Sequence, residues 1–137
     1  MQDLPGVIAL CEAEGWPSLP ADPERAHCIL TNPGVTTYVA VDGEVLGFIY
    51  LLSDGVLQAY IASMAVAVDH RRRGLGTRLI QEALVACGAQ RADLLSTADA
   101  FYGALPHRRL SGFRIYPPEG SAARPQSRSE PTGGQHP

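Results

Sequence analysis

The chain changes its period abruptly between residues 56 and 87. Residues 56–68 are apolar on both alternating faces, around Ile61, Met64, Val66 and Val68, as expected of a central strand covered on both sides. His70-Arg71-Arg72-Arg73-Gly74-Leu75-Gly76-Thr77 then breaks the run. After it, Leu75, Leu79, Ile80, Ala83, Leu84 and Cys87 fall on one helical stripe, and Gly88 ends the helix. Residues 92–97 read as a second buried strand. A strand–helix–strand unit of this kind closes as a parallel, right-handed crossover.

The flanking segments complete a mixed sheet with helices on it. Leu4, Val7, Ile8 and Cys11 share a helical face over residues 4–14, and Gly15-Trp16-Pro17 stops that helix. Asp22-Pro23 reads as an N-cap with proline in the first turn, opening a helix that turns Ala26, Ile29 and Leu30 inward. Residues 35–41 and 45–52 are strands joined at Asp42-Gly43, with Ser53-Asp54-Gly55 as the next turn. Residues 99–105 read as a short helix and residues 107–116 as a final extended segment bent at Ser111-Gly112. The expected class is α/β: an antiparallel meander followed by the crossover. Residues 1–118 form one domain, and residues 119–137, which lack apolar content, form a disordered tail.

Arg71-x-x-Gly74-x-Gly76 carries the chemistry. A pyrophosphate needs several N–H donors converging on a small volume, with glycine where the backbone comes closest. A helix starting there adds its unpaired N–H groups and the positive end of its dipole. Amides from about Arg72 through Thr77 can then grip phosphate oxygens without any lysine. Arg71, Arg72 or Arg73 adds charge-assisted contacts. The spacing fits neither the Gly-x-Gly-x-x-Gly dinucleotide fingerprint nor a P-loop. A plain strand-to-helix turn or a basic nucleic-acid patch would also contain these residues, but three adjacent arginines in a chain of net charge −3 make a poor nucleic-acid surface.

The segment from Met64 to Ile80 resembles the signature of the GNAT superfamily of N-acetyltransferases, Arg/Gln-x-x-Gly-x-Gly/Ala between an apolar strand and a helix. Phe101-Tyr102 is similar to that family's late Phe-Tyr pair, and Gly112-Phe113-Arg114 to its Gly-Phe element. The resemblance implies a GNAT-like acyl-CoA N-acyltransferase fold whose first strand is missing here, either absent or upstream. It implies acetyl-CoA as co-substrate and direct attack by an amine, with no acyl-enzyme. Met64, Ala65 and Val66 would offer backbone groups to the pantetheine arm between splayed parallel strands. Arg71, Arg72, Arg73, Gly74, Gly76 and Thr77 would hold the pyrophosphate. Tyr102 matches the tyrosine that protonates the departing thiolate, a role that suits a neutral phenol.

The general base is less legible. Some family members place a glutamate on the central strand where this chain has Tyr60. Asp54, Asp99, His107 and a water chain remain as substitutes, although Asp54 also reads as a turn former and His107 as a surface residue. Trp16 lies in the loop that commonly shapes the acceptor site, but also reads as an ordinary anchor. Pro106 to Ser111 is a longer link than the family's late motif has.

Charge adds a direction. Residues 1–68 carry eight acids against Arg25 alone, a net of −7, whereas residues 69–137 carry ten arginines against six acids, a net of +4. An acidic half suits a cationic acceptor, a small-molecule or peptide amine, and a basic half an anionic co-substrate. Cys11, Cys28 and Cys87 are too scattered for a zinc site and read as apolar fillers in a reducing cytosol, so no metal is expected. Nothing resembles a membrane span or a signal peptide. The expectation is a cytoplasmic, acetyl-CoA-dependent N-acetyltransferase, monomer or homodimer, with no nucleic-acid or membrane partner. A non-catalytic acyl-CoA-binding or sensing domain is the alternative, and a small interaction module a second.

Overall fold

The computed structural model describes residues 1–120. The first two helices form where expected. Helix α1 spans Leu4–Glu14 and stops at Gly15, in the left-handed conformation. Helix α2 spans Pro23–Leu30, and the Asp22 carboxylate accepts the Arg25 N–H at 3.0 Å to cap it. Strands β1 (Val35–Asp42), β2 (Glu44–Ser53) and β3 (Gln58–Val66) form an antiparallel meander. A short 3-10 turn over Val68–His70 leads to helix α3 (Leu75–Cys87), then to β4 (Arg91–Asp93) and helix α4 (Asp99–Tyr102). The sheet order is β1-β2-β3-β4, with β4 parallel to β3.

Alternation along β2 explains why its sequence is apolar on both sides. Phe48 and Tyr50 face α1 and α2, in a cluster with Val7, Cys11, Trp16, Leu19, Ala26 and Leu30. Ile49 and Leu51 face α3, against Leu79, Ile80, Ala83 and Cys87. Both faces of the central strands are therefore covered. Gly47 admits the α3 side closely: a Cβ there would stand 3.0 Å from the Ala65 carbonyl oxygen and 3.2 Å from Leu79 Cδ1.

The sheet opens on its parallel side. Leu51 pairs with Ile61 and Tyr50 with Ser63, so Ala62 is an extra residue, a β-bulge that bends β3. The β3–β4 ladder runs only from Gln58↔Arg91 to Tyr60↔Asp93. Beyond it, β3 continues to Val66 with no partner on that edge among the described residues.

Three expectations need correction. Strand β4 holds three residues rather than residues 92–97; Leu94 packs towards the α3 cluster without joining the ladder. Residues 107–116 form no strand. Gly112 lies across Leu95, whose Cδ2 occupies the place of its missing Cβ, while Phe113 and Ile115 are 85 % and 88 % exposed. Cys28 is exposed rather than a filler, whereas Cys11 and Cys87 are buried, and all three thiols are free. Most of the proposed tail, residues 121–137, lies outside the described residues.

Candidate active site

The bulge and the short fourth strand leave a cleft of about 870 Å³. Met64, Ala65 and Val66 of β3 line it on one side, and Thr97, Ala98, Phe101 and Tyr102 on the other. His70, Arg71, Arg72 and residues 74–77 line it as well, as do Glu14 and Trp16 from the end of α1 and the loop after it.

The turn before α3 leaves main-chain donors open. Arg72 has φ +65°, the single positive value at a non-glycine among the described residues, and Gly74 has φ +79°. Two left-handed residues so close together turn the backbone sharply just before α3. Among the described residues, no backbone or side-chain acceptor takes the N–H groups of residues 72–77. These six donors meet the start of α3, where the helix dipole adds partial positive charge. A pyrophosphate fits them, and the cleft is of a size to take the arm of a coenzyme-sized ligand.

The two glycines serve different ends. Gly74 has open space around its missing Cβ and is glycine for its backbone angle. At Gly76 a Cβ would stand 3.1 Å from Cζ of Phe101 and 3.6 Å from Cε of Met64, so this glycine lets α4 and β3 close on the first turn of α3. Crowding of the phosphate volume does not explain it.

The arginines divide. Arg71 lines the cleft, but its Nε donates to the Val66 carbonyl at 3.0 Å and its Nη2 to the Glu14 carboxylate. That carbonyl is therefore already in use. Arg72 lines the cleft and Arg73 does not. Tyr102 lies edge-on to Phe101, with ring centroids 4.9 Å apart and planes at 82°. Burial pushes its phenol up to about 12, so it is a protonated donor at neutral pH.

The order of elements and the mixed sheet agree with comparisons to known proteins. The acetyltransferase (GNAT) family matches residues 3–106. The chain belongs to the GNAT family of acetyltransferases. A structure from Deinococcus radiodurans R1, described as a candidate acetyltransferase, is 33 % identical, covers 68 % of both chains and superposes with a TM-score of 0.58. A GNAT protein from Streptococcus pneumoniae TIGR4 shares the fold at 24 % identity and TM-score 0.66, over 85 % of this chain and 92 % of that one. So does AAC(6')-Iy, solved with a CoA-linked bisubstrate analogue, at 19 % identity and TM-score 0.64, over the same two shares. No curated protein matches.

Within this GNAT domain, none of the suggested bases lines the cleft. Asp54 accepts the N–H groups of Val56, Leu57 and Gln58, which hold its carboxyl below the usual range. It fixes the turn before β3, at the other end of that strand from Val66. Asp99 pairs with Arg109 at 3.3 Å, and the His107 ring nitrogen contacts the Leu105 carbonyl at 2.7 Å; both residues are exposed. Tyr60 packs towards the α1–α2 cluster.

Two cleft residues were not singled out from sequence. Glu14 continues the inward stripe Leu4, Val7, Cys11 at the next helical step, and an acid on an apolar stripe was the available signal. His70 carries, among the described residues, the single buried side-chain polar atom without a partner, Nδ1; nothing in its sequence context marks it. Among the described residues no group of acids, cysteines and histidines is placed to hold a metal ion, and no helix is long and apolar enough to cross a membrane.

Proposed function

We propose that the chain is an acetyl-CoA-dependent N-acetyltransferase acting on a primary amine of a small molecule or peptide. The observation that carries this reading is the row of six N–H groups without protein acceptors, beside a cleft between two parting parallel strands. Residues 72–77 would take the diphosphate, with Arg72 as a nearby charge. The free edge of β3 near Met64 and Ala65 would align the pantetheine arm by main-chain hydrogen bonds. Acetyl-CoA supplies an activated thioester, which the amine attacks directly. Tyr102 then gives its phenolic proton to the leaving sulfur, and the phenolate takes up the proton that the attacking nitrogen gives up as the amide forms, so its ionisation is transient, because its partly buried setting favours the neutral phenol. Holding amine and thioester in one cleft lowers the barrier by orientation alone. The protein acts in the cytoplasm, as a monomer or homodimer, without a metal.

The test is thiol release from acetyl-CoA against a panel of acceptors: polyamines, aminoglycosides, since two proteins of this fold are named aminoglycoside acetyltransferases, and peptide N-termini. Amine-dependent release supports the enzyme. Tight CoA binding with no release for any amine indicates a non-catalytic acyl-CoA-binding domain instead.

A further inference from the structure

We infer that Glu14 receives the ammonium group of the acceptor, and that Arg71 masks Glu14 until a diphosphate engages residues 72–77. The inference rests on the diphosphate reading above and names the cation subsite of the same cleft.

Glu14 is the one carboxylate lining the cleft among the described residues. It ends α1, and its side chain is 28 % exposed. Trp16, two residues on, also lines the cleft, and an indole beside a carboxylate favours a cation. In the structure the charge of Glu14 is satisfied by Arg71. Arg71 lines the same cleft as Arg72, the next residue, whose N–H begins the open row. One side chain therefore stands between an anion site and a cation site.

The arrangement makes the two sites compete for Arg71. The pair is partly exposed, 46 % on the arginine side, and ion pairs of this kind are weakly held; Arg71 is held besides by its Nε bond to the Val66 carbonyl. A diphosphate brings at least two negative charges beside the guanidinium and suits its fork as well as a carboxylate does. Once Arg71 turns to the phosphate, Glu14 faces the cleft without its cation. An ammonium then binds without having to displace Arg71. Reciprocity of coupling requires that each ligand tighten the other.

The test uses the full chain, labelled with 15N, and n-butylammonium as a probe at fixed ionic strength, read at the Gly15 amide and the Trp16 indole N–H. Saturating CoA should tighten butylammonium binding by about fivefold or more, and n-butanol should show no such effect. Glu14→Gln should abolish the tightening while keeping or raising CoA affinity. Glu14→Asp should retain part of it. Arg71→Gln should bind butylammonium tightly even without CoA. Absence of CoA binding to the wild type overturns the diphosphate reading and this proposal with it. Normal CoA binding overturns this proposal alone if butylammonium affinity ignores CoA, if the coupling survives Glu14→Gln, or if Glu14→Gln weakens CoA about fivefold or more.

Discussion

The ring edge of Phe101 occupies the space that a side chain at Gly76 would need, with Cζ 3.1 Å from the position of a Cβ. The first turn of α3 and the aromatic wall of the cleft are thereby set against each other. Tyr102 follows Phe101 and packs on its ring, so the placement of the phenol depends on that glycine.

Gly76→Ala gains helix propensity of about 0.5–1 kcal/mol and loses about 1–3 kcal/mol to overpacking. The net loss of stability is expected to stay below about 2.5 kcal/mol, measured by urea unfolding. Turnover is expected to fall about tenfold or more, because small displacements of a proton donor are costly. Phe101→Leu in the same chain should restore part of it. Unchanged turnover in Gly76→Ala would show that the ring's position does not matter to the chemistry.

Tyr102→Phe keeps the ring and removes the proton. It should lower kcat about a hundredfold and leave the Kd for acetyl-CoA within twofold. Since burial holds the wild-type phenol near 12, kcat should show no loss from Tyr102 ionisation below about pH 11. Equal losses in kcat and acetyl-CoA affinity would assign Tyr102 to packing.

Two buried acids, Cys11 and Tyr50, and the partly buried Tyr102 should make the domain sensitive to base. The Cys11 thiol is pushed up from 9.0 to about 12 by burial and then by the Glu14 and Glu12 charges. Tyr50 rises from 10.0 to about 12, chiefly by burial, and Tyr102 does so by burial alone. A raised folded value favours the protonated native form, so this contribution is complete below pH 9 and is lost as pH climbs towards 12. Urea midpoints should be flat from pH 7 to 8.5 and fall steadily above 9. Cys11→Val should remove the earliest part of the fall, and an unaltered profile in that variant would exclude the thiol.

Asp54→Ala removes a carboxylate that accepts three N–H groups in the β2–β3 turn. Its depressed folded value means that the contribution is present above the ordinary carboxylate range and lost as pH falls through the folded value. The variant should melt lower at pH 7, differ less from wild type in strong acid, and keep its kcat, since Asp54 lies outside the cleft. A selective loss of kcat would return Asp54 to the list of bases.

Much of this was legible because local signals agreed with one another. The Asp22-Pro23 cap, the Gly88 stop and the unbroken apolar faces of β2 and β3 each demanded what the structure shows. The right-hand side of the sheet was not legible, because a strand exists only where a partner edge does. Leu94 and Leu95 look like strand residues, yet the bulge at Ala62 carries β3 away and leaves them outside the ladder. Phe113 and Ile115 keep a strand-like pattern but pair with no strand among the described residues. In the site, the glycine motif located the turn, but it could not show that Arg71 is tied to Glu14 across 57 residues of chain.

The central claim is that main-chain donors at residues 72–77 hold the diphosphate of acetyl-CoA. Titrating the 15N-labelled protein with CoA and following backbone amides tests it most directly. The account predicts large downfield shifts at Arg72, Gly74, Gly76 and Thr77, absent when pantetheine, which lacks the diphosphate, replaces CoA. Saturable CoA binding that leaves those amides unmoved, or moves them equally with pantetheine, would contradict it.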